Sequence, residues 1–316
     1  MIQYLYLGRV DYGEALRLQQ ELVALRTAGR IGNVLLLLEH PPVLTLGRNA
    51  NRSNILATDE LLAARGITLH EINRGGDVTY HGPGQLIGYP IFDLRSLRNP
   101  SGHSRLGPVD FVRLMEEALI RLCGELGVPA GRICGLTGVW CGLPEPQPTS
   151  VELDCEAPTS SKRLPSAGGC DAPTQSAGRK IAAIGIHVAR GVTSHGFAFN
   201  VTTDLRDFSL INPCGITNRP VTSLEREVPD PGNLPGLESH AHMSAREFGL
   251  VFNEPVEFVE DLAALRALAD AASNSSASEF TSPEVSAPVF PAQDTPLQIP
   301  PEIERLRGGK DRPVSA

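Results

Sequence analysis

Residues 74–90, RGGDVTYHGPGQLIGYP, carry five glycines, two prolines, an arginine and a histidine in one run. Glycine reaches positive φ without steric cost and lets backbone approach a ligand closely. A phosphate cradle is the first reading of such a run, and its spacing argues against it. A dinucleotide fingerprint needs G-x-G-x-x-G between a strand and a helix. Here the order is G-G-x-x-x-x-x-G-x-G, and the residues that follow, LIGYPIF, read as a strand. No G-x-x-x-x-G-K-[ST] occurs either. The run is therefore not the turn of a doubly wound nucleotide fold. On local grounds a structural hairpin or Ω-like loop explains it as well as a binding loop does.

The elements on either side point the same way. ITLHEI leads into the run as a strand, and VLLLLEH is a buried strand stopped by Pro41-Pro42. Residues 12–28 place Leu18, Leu22 and Leu25 on one helical face, with Gly29 ending the helix. Asp59 to Arg65 is a short helix closed by Gly66. Pro108 to Leu126 is a longer one, with Phe111, Met115, Leu119 and Leu122 on one side and Gly127 after it. Strands follow at 135–141 and 180–189, and HGFAFNV alternates Phe197, Phe199 and Val201 on one face. SARE at 244–247 reads as a capping box opening helical sequence to about residue 271. Helices and strands mix without a βαβ period, which predicts an α+β fold with helices against a sheet.

The folded body is expected over 1–271, interrupted at 142–177 and followed by a tail at 272–316. Both latter segments are rich in Pro, Ser and Gly and too poor in apolar residues to offset their chain entropy, so disorder is expected for them. The chain carries a net charge of −8 and no basic stripe, which excludes a nucleic-acid binder. No signal peptide or membrane span is visible, and the reading is a soluble, cytoplasmic protein. The six cysteines form no C-x-x-C pair, so free thiols are expected and a metal site is not.

Two residues stand out. Of three lysines, only Lys180 falls in the folded body, whereas arginine fills the other basic positions. Lysine, unlike arginine, can act as a proton acceptor near neutral pH. Cys214 lies between Pro213 and Gly215, on an irregular segment where a substrate has access, unlike Cys123 on its helix. A thiol needs a base or cation nearby to become thiolate. His81, His187, His195 and Lys180 are the candidates, and the lone body lysine is the sharpest of them.

With those residues in place, RGGDVTYHGPGQLIGYP, EHPPVLTLGR, GLTGVW, GRKIAAIGIHV, HGFAFNV and INPCGI occur in the order seen in the octanoyltransferases of lipoate biosynthesis, the lipoate-protein ligase B family. The resemblance covers most of 1–141 and 178–252. It implies the mixed sheet flanked by helices of the biotin and lipoate protein ligase catalytic domain. It also implies a cofactor-free, two-step transfer. Octanoyl would move from acyl carrier protein to Cys214, then to a lysine of lipoyl domains in 2-oxoacid dehydrogenase E2 subunits or glycine cleavage H protein. Lys180 matches the partner that lowers the thiol pKa. Arg74, Gly75, Gly76, Asp77, Val78, Thr79, Tyr80 and His81 match a substrate-binding loop. Ala183, Ile184 and Gly185 match a second lining segment, and Gly196, Phe197 and Ala198 a third.

The insertion at 142–177 departs from the family pattern; an inert surface loop is the expectation, a partial lid the alternative. An ATP-dependent ligase on the same scaffold would have no use for Cys214, and a binding-only relative none for Lys180 with it. Because acyl carrier proteins are acidic, Arg48, Arg52 and Arg74 are candidates for a local basic docking patch.

Overall fold

Val34–Leu38 is apolar at every position because the strand that carries it is covered on both faces. In the computed structural model, which describes residues 1–98, 106–143, 178–212 and 219–278 with side chains to 271, this strand is β2 (Asn33–Glu39). Leu35 and Leu37 point into one core, and Val34, Leu36 and Leu38 into another. β1 (Ile2–Arg9) runs parallel to β2 on one side, and β6 (Gln85–Ile91) antiparallel on the other. Beyond β6 come β10 (Val192–Asn200), β9 (Arg179–Ala189), β8 (Leu136–Cys141) and β7 (Ala130–Ile133), all antiparallel to their neighbours. β11 (Val256–Phe258) closes the other edge, parallel to β1. Among the described residues this makes an eight-stranded mixed sheet in the order β11-β1-β2-β6-β10-β9-β8-β7.

Helices cover both faces. α3 (Pro108–Glu125) and α5 (Leu237–Phe252), with Leu224 of the single turn α4 (Leu224–Glu227), pack on one, over Phe92, Phe197, Phe199 and Val201. α1 (Tyr12–Thr27) and α6 (Leu262–Ser278) cover the other, over Leu36, Ile87 and Ala198. Asp11 caps α1, and Gly29 takes φ +72° just after its end, as the sequence predicts. A smaller sheet, β4 (Thr68–Glu71), β3 (Val43–Leu46) and β5 (Val78–His81), packs with α2 (Asp59–Ala64) and the 3-10 segment Leu205–Leu210 around a third core. The glycine-rich run is thus not one loop. Its middle is a strand, and the turn at Gly82–Gly84 passes the chain from the small sheet into the large one.

The SARE reading needs correction. α5 starts at Leu237, so Ser244 lies mid-helix, where it is buried rather than capping. Val251, Phe252 and Phe248 bury the face that includes this segment, and packing outweighs the local cap signal. α5 also ends at Asn253 in left-handed conformation, and β11 separates it from α6. Pro90 sits within a central strand, which is unusual because it has no N–H for the ladder. It falls where pairing to β10 lapses, between Gly88↔Phe197 and Asp93↔Val192.

The expected disorder of 142–177 and of the tail falls almost wholly outside the described residues, as does Cys214. Cys123 and Cys141 are buried free thiols and Cys134 an exposed one. No helix among the described residues is long and apolar enough to cross a membrane.

Candidate active site

Lys180 enters β9 through a break in the ladder. Trp140 of β8 pairs with Lys180 and Val139 with Ala182, so Ile181 is an extra residue. Such a bulge re-aims the side chains around it. Ile181 and Ala182, though adjacent, both face the α3–α5 core, and Lys180 and Ala183 both face a cavity. Gly138, with φ +125°, marks where β8 leaves β9. A Cβ there would lie 2.6 Å from the Ala182 carbonyl oxygen and 3.4 Å from Lys180 Cε, so no other residue fits unstrained. The Gly138 N–H donates to Glu116 Oε1 at 2.9 Å. Glu116 is fully buried on α3, and its other oxygen accepts from Arg113 at 2.7 Å and Arg132 at 3.1 Å.

Past this break β9 continues alone on that edge, and the chain at 74–76 takes up its free groups. Gly75 N–H donates to the Ile186 carbonyl at 3.0 Å. A Cβ on Gly185 would lie 2.7 Å from the Gly75 oxygen, and one on Gly47 would lie 2.4 Å from the Gly76 oxygen. The strap is held between β3 and β9 at backbone contact, which is why glycines recur there. Arg74 anchors it from inside. Its buried guanidinium donates to the Thr45 carbonyl at 2.8 Å and to Thr45 Oγ1 at 2.9 Å.

The space between strap, β9, β10 and the β7–β8 hairpin is a cavity of about 360 Å³. That is within the range of pockets that bury a small organic ligand. Lys180, 9% exposed, lies in its wall with Nζ 4.7 Å from the centroid of the Trp140 ring, a cation–π arrangement. Arg219 lies over the same indole at 5.7 Å.

Three buried histidines surround the site, and burial is the main reason each stays neutral. His81 is pushed down to about 3. His40 and His195 are pushed down to about 4. His40 Nδ1–H donates to the Val10 carbonyl at 2.7 Å, and its Nε2 accepts from Tyr89 at 2.7 Å. His81 Nδ1–H donates to Gln85 Oε1 at 2.8 Å; Gln85 donates on to Asn200, and Asn200 to the Thr222 carbonyl. Thr222 N–H in turn donates to the Lys180 carbonyl at 2.9 Å. His195, at φ +55°, donates from Nε2 to Asn73 Oδ1 at 2.7 Å. His81 and His195 are held as hydrogen-bonding wall residues with His40 behind them, and the basic side chains lining the cavity are Arg74 and Lys180.

Of the sequence-predicted residues, Lys180, Arg74, Gly75, Gly76, Thr79, His81, Ala183, Ile184, Gly185, Gly196, Phe197 and Ala198 all line this cavity. Asp77, Val78 and Tyr80 do not. β5 alternates, so Thr79 and His81 face the cavity while Val78 and Tyr80 turn into the third core. Tyr80 donates to Asp207 at 3.0 Å, and Asp77 accepts from the backbone of Asn51 and Val78 and from Asn54. Of the Arg48–Arg52–Arg74 docking patch expected from sequence, Arg74 is buried and so cannot belong to a surface, whereas Arg48 and Arg52 are exposed. Tyr12, Tyr89, Val112 and the hairpin tip Gly135–Thr137 line the cavity and do not stand out in the sequence. Only the GLTGVW run points toward the last of these.

The chain matches the lipoyl protein ligase A/B catalytic domain over residues 11–240. It is 54% identical over 260 residues to an octanoyltransferase from Acidobacterium capsulatum, covering 82% of this chain and 94% of that one. It is 50% identical over 262 residues to one from Koribacter versatilis, covering 83% and 88%. In fold it is similar to lipoate-protein ligase A bound with ATP, with a TM-score of 0.54, 17% identity and coverage of 86% and 94%. A bi-partite lipoate protein ligase from Thermoplasma acidophilum gives a TM-score of 0.53 at 17% identity, covering 85% and 90%. The chain belongs to the octanoyltransferase (lipoate-protein ligase B) family, on the mixed-sheet scaffold of lipoate ligase catalytic domains.

Proposed function

We propose that this octanoyltransferase works through an acyl-thioester on Cys214, with Lys180 as its proton acceptor and donor. The observation that carries the reading is Lys180. It is the only lysine of the folded body, and the bulge in β9 turns it into a cavity large enough for an eight-carbon acyl group. Cys214 lies between Asn212 and Arg219 in sequence, and Arg219, like Lys180, lies against the Trp140 indole.

In the first step the Cys214 thiol gives its proton to the neutral Lys180 amine, and the thiolate attacks the carbonyl carbon of an octanoyl thioester on acyl carrier protein. The carbon–sulfur bond to the carrier breaks, and the ammonium of Lys180 returns the proton to the departing sulfur. In the second, the lysine amine of a lipoyl domain, in an E2 subunit or H protein, attacks the Cys214 thioester. Lys180 takes the amine proton, the carbon–sulfur bond to Cys214 breaks, and an amide forms. Conversion of thioester to amide runs downhill, so the transfer needs no ATP. The 74–76 strap and the Ala183–Gly185 and Gly196–Ala198 segments would hold the acyl chain against bare backbone.

Intact-protein mass spectrometry after mixing with octanoyl-acyl carrier protein, without ATP or acceptor, tests this. The expected result is one octanoyl adduct, absent in Cys214→Ser and discharged by an apo lipoyl domain. Single-turnover transfer that survives Cys214→Ser would overturn the covalent route.

A further inference from the structure

A second concavity, of about 330 Å³, lies between the 3-10 segment Leu205–Leu210 and the chain from Arg219 to Arg226. Its floor is apolar, made by Leu205, Phe208 and Val221, and its walls are Arg206, Arg219 and Arg226. Among the described residues no carboxylate lines it. Asp204 reaches Arg206 from outside, in an exposed pair that leaves other guanidinium donors open. The guanidinium groups of Arg219 and Arg226 have no hydrogen bond or ion pair within 4 Å among the described residues, although Arg226 lies near enough to Asp204 to help hold its carboxyl low.

The groove backs directly on the site. Phe208 and Val221 also wall a void of about 20 Å³ together with Lys180. Lys180 N–H donates to the Pro220 carbonyl at 2.9 Å. Three arginines around an apolar floor, in a chain of net charge −8, form a local exception to the overall field. Guanidinium forks match the geometry of phosphate oxygens.

We propose that this groove receives the phosphodiester arm on which an acyl carrier protein presents its thioester, the phosphate on the arginines and the arm along Phe208 and Val221 toward Lys180. This rests on the transferase reading above. It replaces the Arg48–Arg52–Arg74 patch expected from sequence. The carrier's own acidity would be met at the same rim, so approach as well as anchoring depends on these arginines.

The test uses the double variant Arg206→Ala/Arg226→Ala. Both side chains are at the surface, and Arg219, beside Trp140, is left in place. Binding of phosphopantetheine without an acyl group, by calorimetry, reads the groove independently of any transfer chemistry. The expected result is binding by the wild type and at least about tenfold weaker binding by the variant, the loss of one or two charge-assisted contacts. In steady state, KM for octanoyl-phosphopantetheine should rise by a similar factor, while that for octanoyl-pantetheine, which lacks the phosphate, moves by less than about twofold. Equal changes for both donors, or an effect on whole carrier protein with none on phosphopantetheine, overturn the phosphate site. Wild-type binding without any acyl transfer would leave the groove standing and remove the transferase reading instead.

Discussion

Replacing Gly138 with alanine tests the claim that the β8–β9 break is what aims Lys180. Two costs add. A residue with Cβ at φ +125° is strained by about 1–3 kcal/mol. The new methyl would also lie 2.6 Å from the Ala182 carbonyl oxygen, and relief requires β8 or β9 to shift, an overpacking cost of about 1–3 kcal/mol. Together they take roughly 4 kcal/mol from a fold whose total stability is of order 5–15 kcal/mol. That corresponds to a fall in Tm of roughly 8–16 °C for a domain of this size. Gly127→Ala, away from the cavity, is the control. It has φ +73° with nothing within 4 Å of a Cβ, so only the backbone cost of about 1 kcal/mol applies. Urea unfolding of both variants measures the difference, and mass spectrometry of the octanoyl adduct measures the effect on Lys180. The G138A variant should form adduct at least about tenfold more slowly than wild type under conditions where both are folded. If it is as stable and as fast as G127A, the break does not position the lysine.

Trp140→Leu removes the ring beside the ammonium that Lys180 becomes on taking the thiol proton, worth about 0.5–2 kcal/mol, so adduct formation should slow by roughly 2–30-fold, with Trp140→Phe recovering most of it; stopped-flow or quench assays decide. Ala183→Leu projects bulk into the cavity and should shift the kcat/KM preference from octanoyl toward hexanoyl donors, by about 10-fold or more, since each methylene in a fitted pocket is worth about 1–3 kcal/mol. Glu116→Ala strips a buried carboxylate from two arginines and the Gly138 N–H, and should cost about 3–5 kcal/mol in urea unfolding. His40, His81 and His195 are held near 4, 3 and 4 by burial, below the unfolded value of about 6.5. Between those limits the unfolded chain binds more protons, so stability is full above about pH 6.5 and falls as pH drops toward 4, by up to about 1.4 kcal/mol per unit per histidine. Urea midpoints that do not move between pH 7 and pH 5 would contradict this.

Much of this was legible in the chain because it depended on local chemistry. Helices α1 and α3 announce themselves by apolar spacing and a following glycine, and β2 by an unbroken apolar run. The glycines at 75, 76 and 185 betray close backbone contact, although their partners across the sheet cannot be read from spacing. What escaped was set by tertiary pairing. The short strands β3 and β5 owe their form to pairing across a long stretch of sequence. The alternation of Val78, Thr79, Tyr80 and His81 becomes visible only once β5 is seen to divide a cavity from a core. Tyr12 contributes to the site from the start of α1, where its burial reads as ordinary packing. The bulge at Ile181 leaves no mark in composition, yet it decides which way Lys180 points.

The pairing of Ile2 with Val256 at the sheet edge has a consequence for synthesis. A chain emerging from the ribosome holds its first strand from the outset but cannot supply that strand's outer partner until nearly all of the described body has been made. Contacts so distant along the chain slow folding, and until they form, β1 presents unpaired backbone along its outer side. Until residues 256–258 have been made, that outer side is open to mispairing with other chains. A ribosome stalled ahead of residue 256 should hold a product in which the central strands are protected from hydrogen exchange and β1 is not.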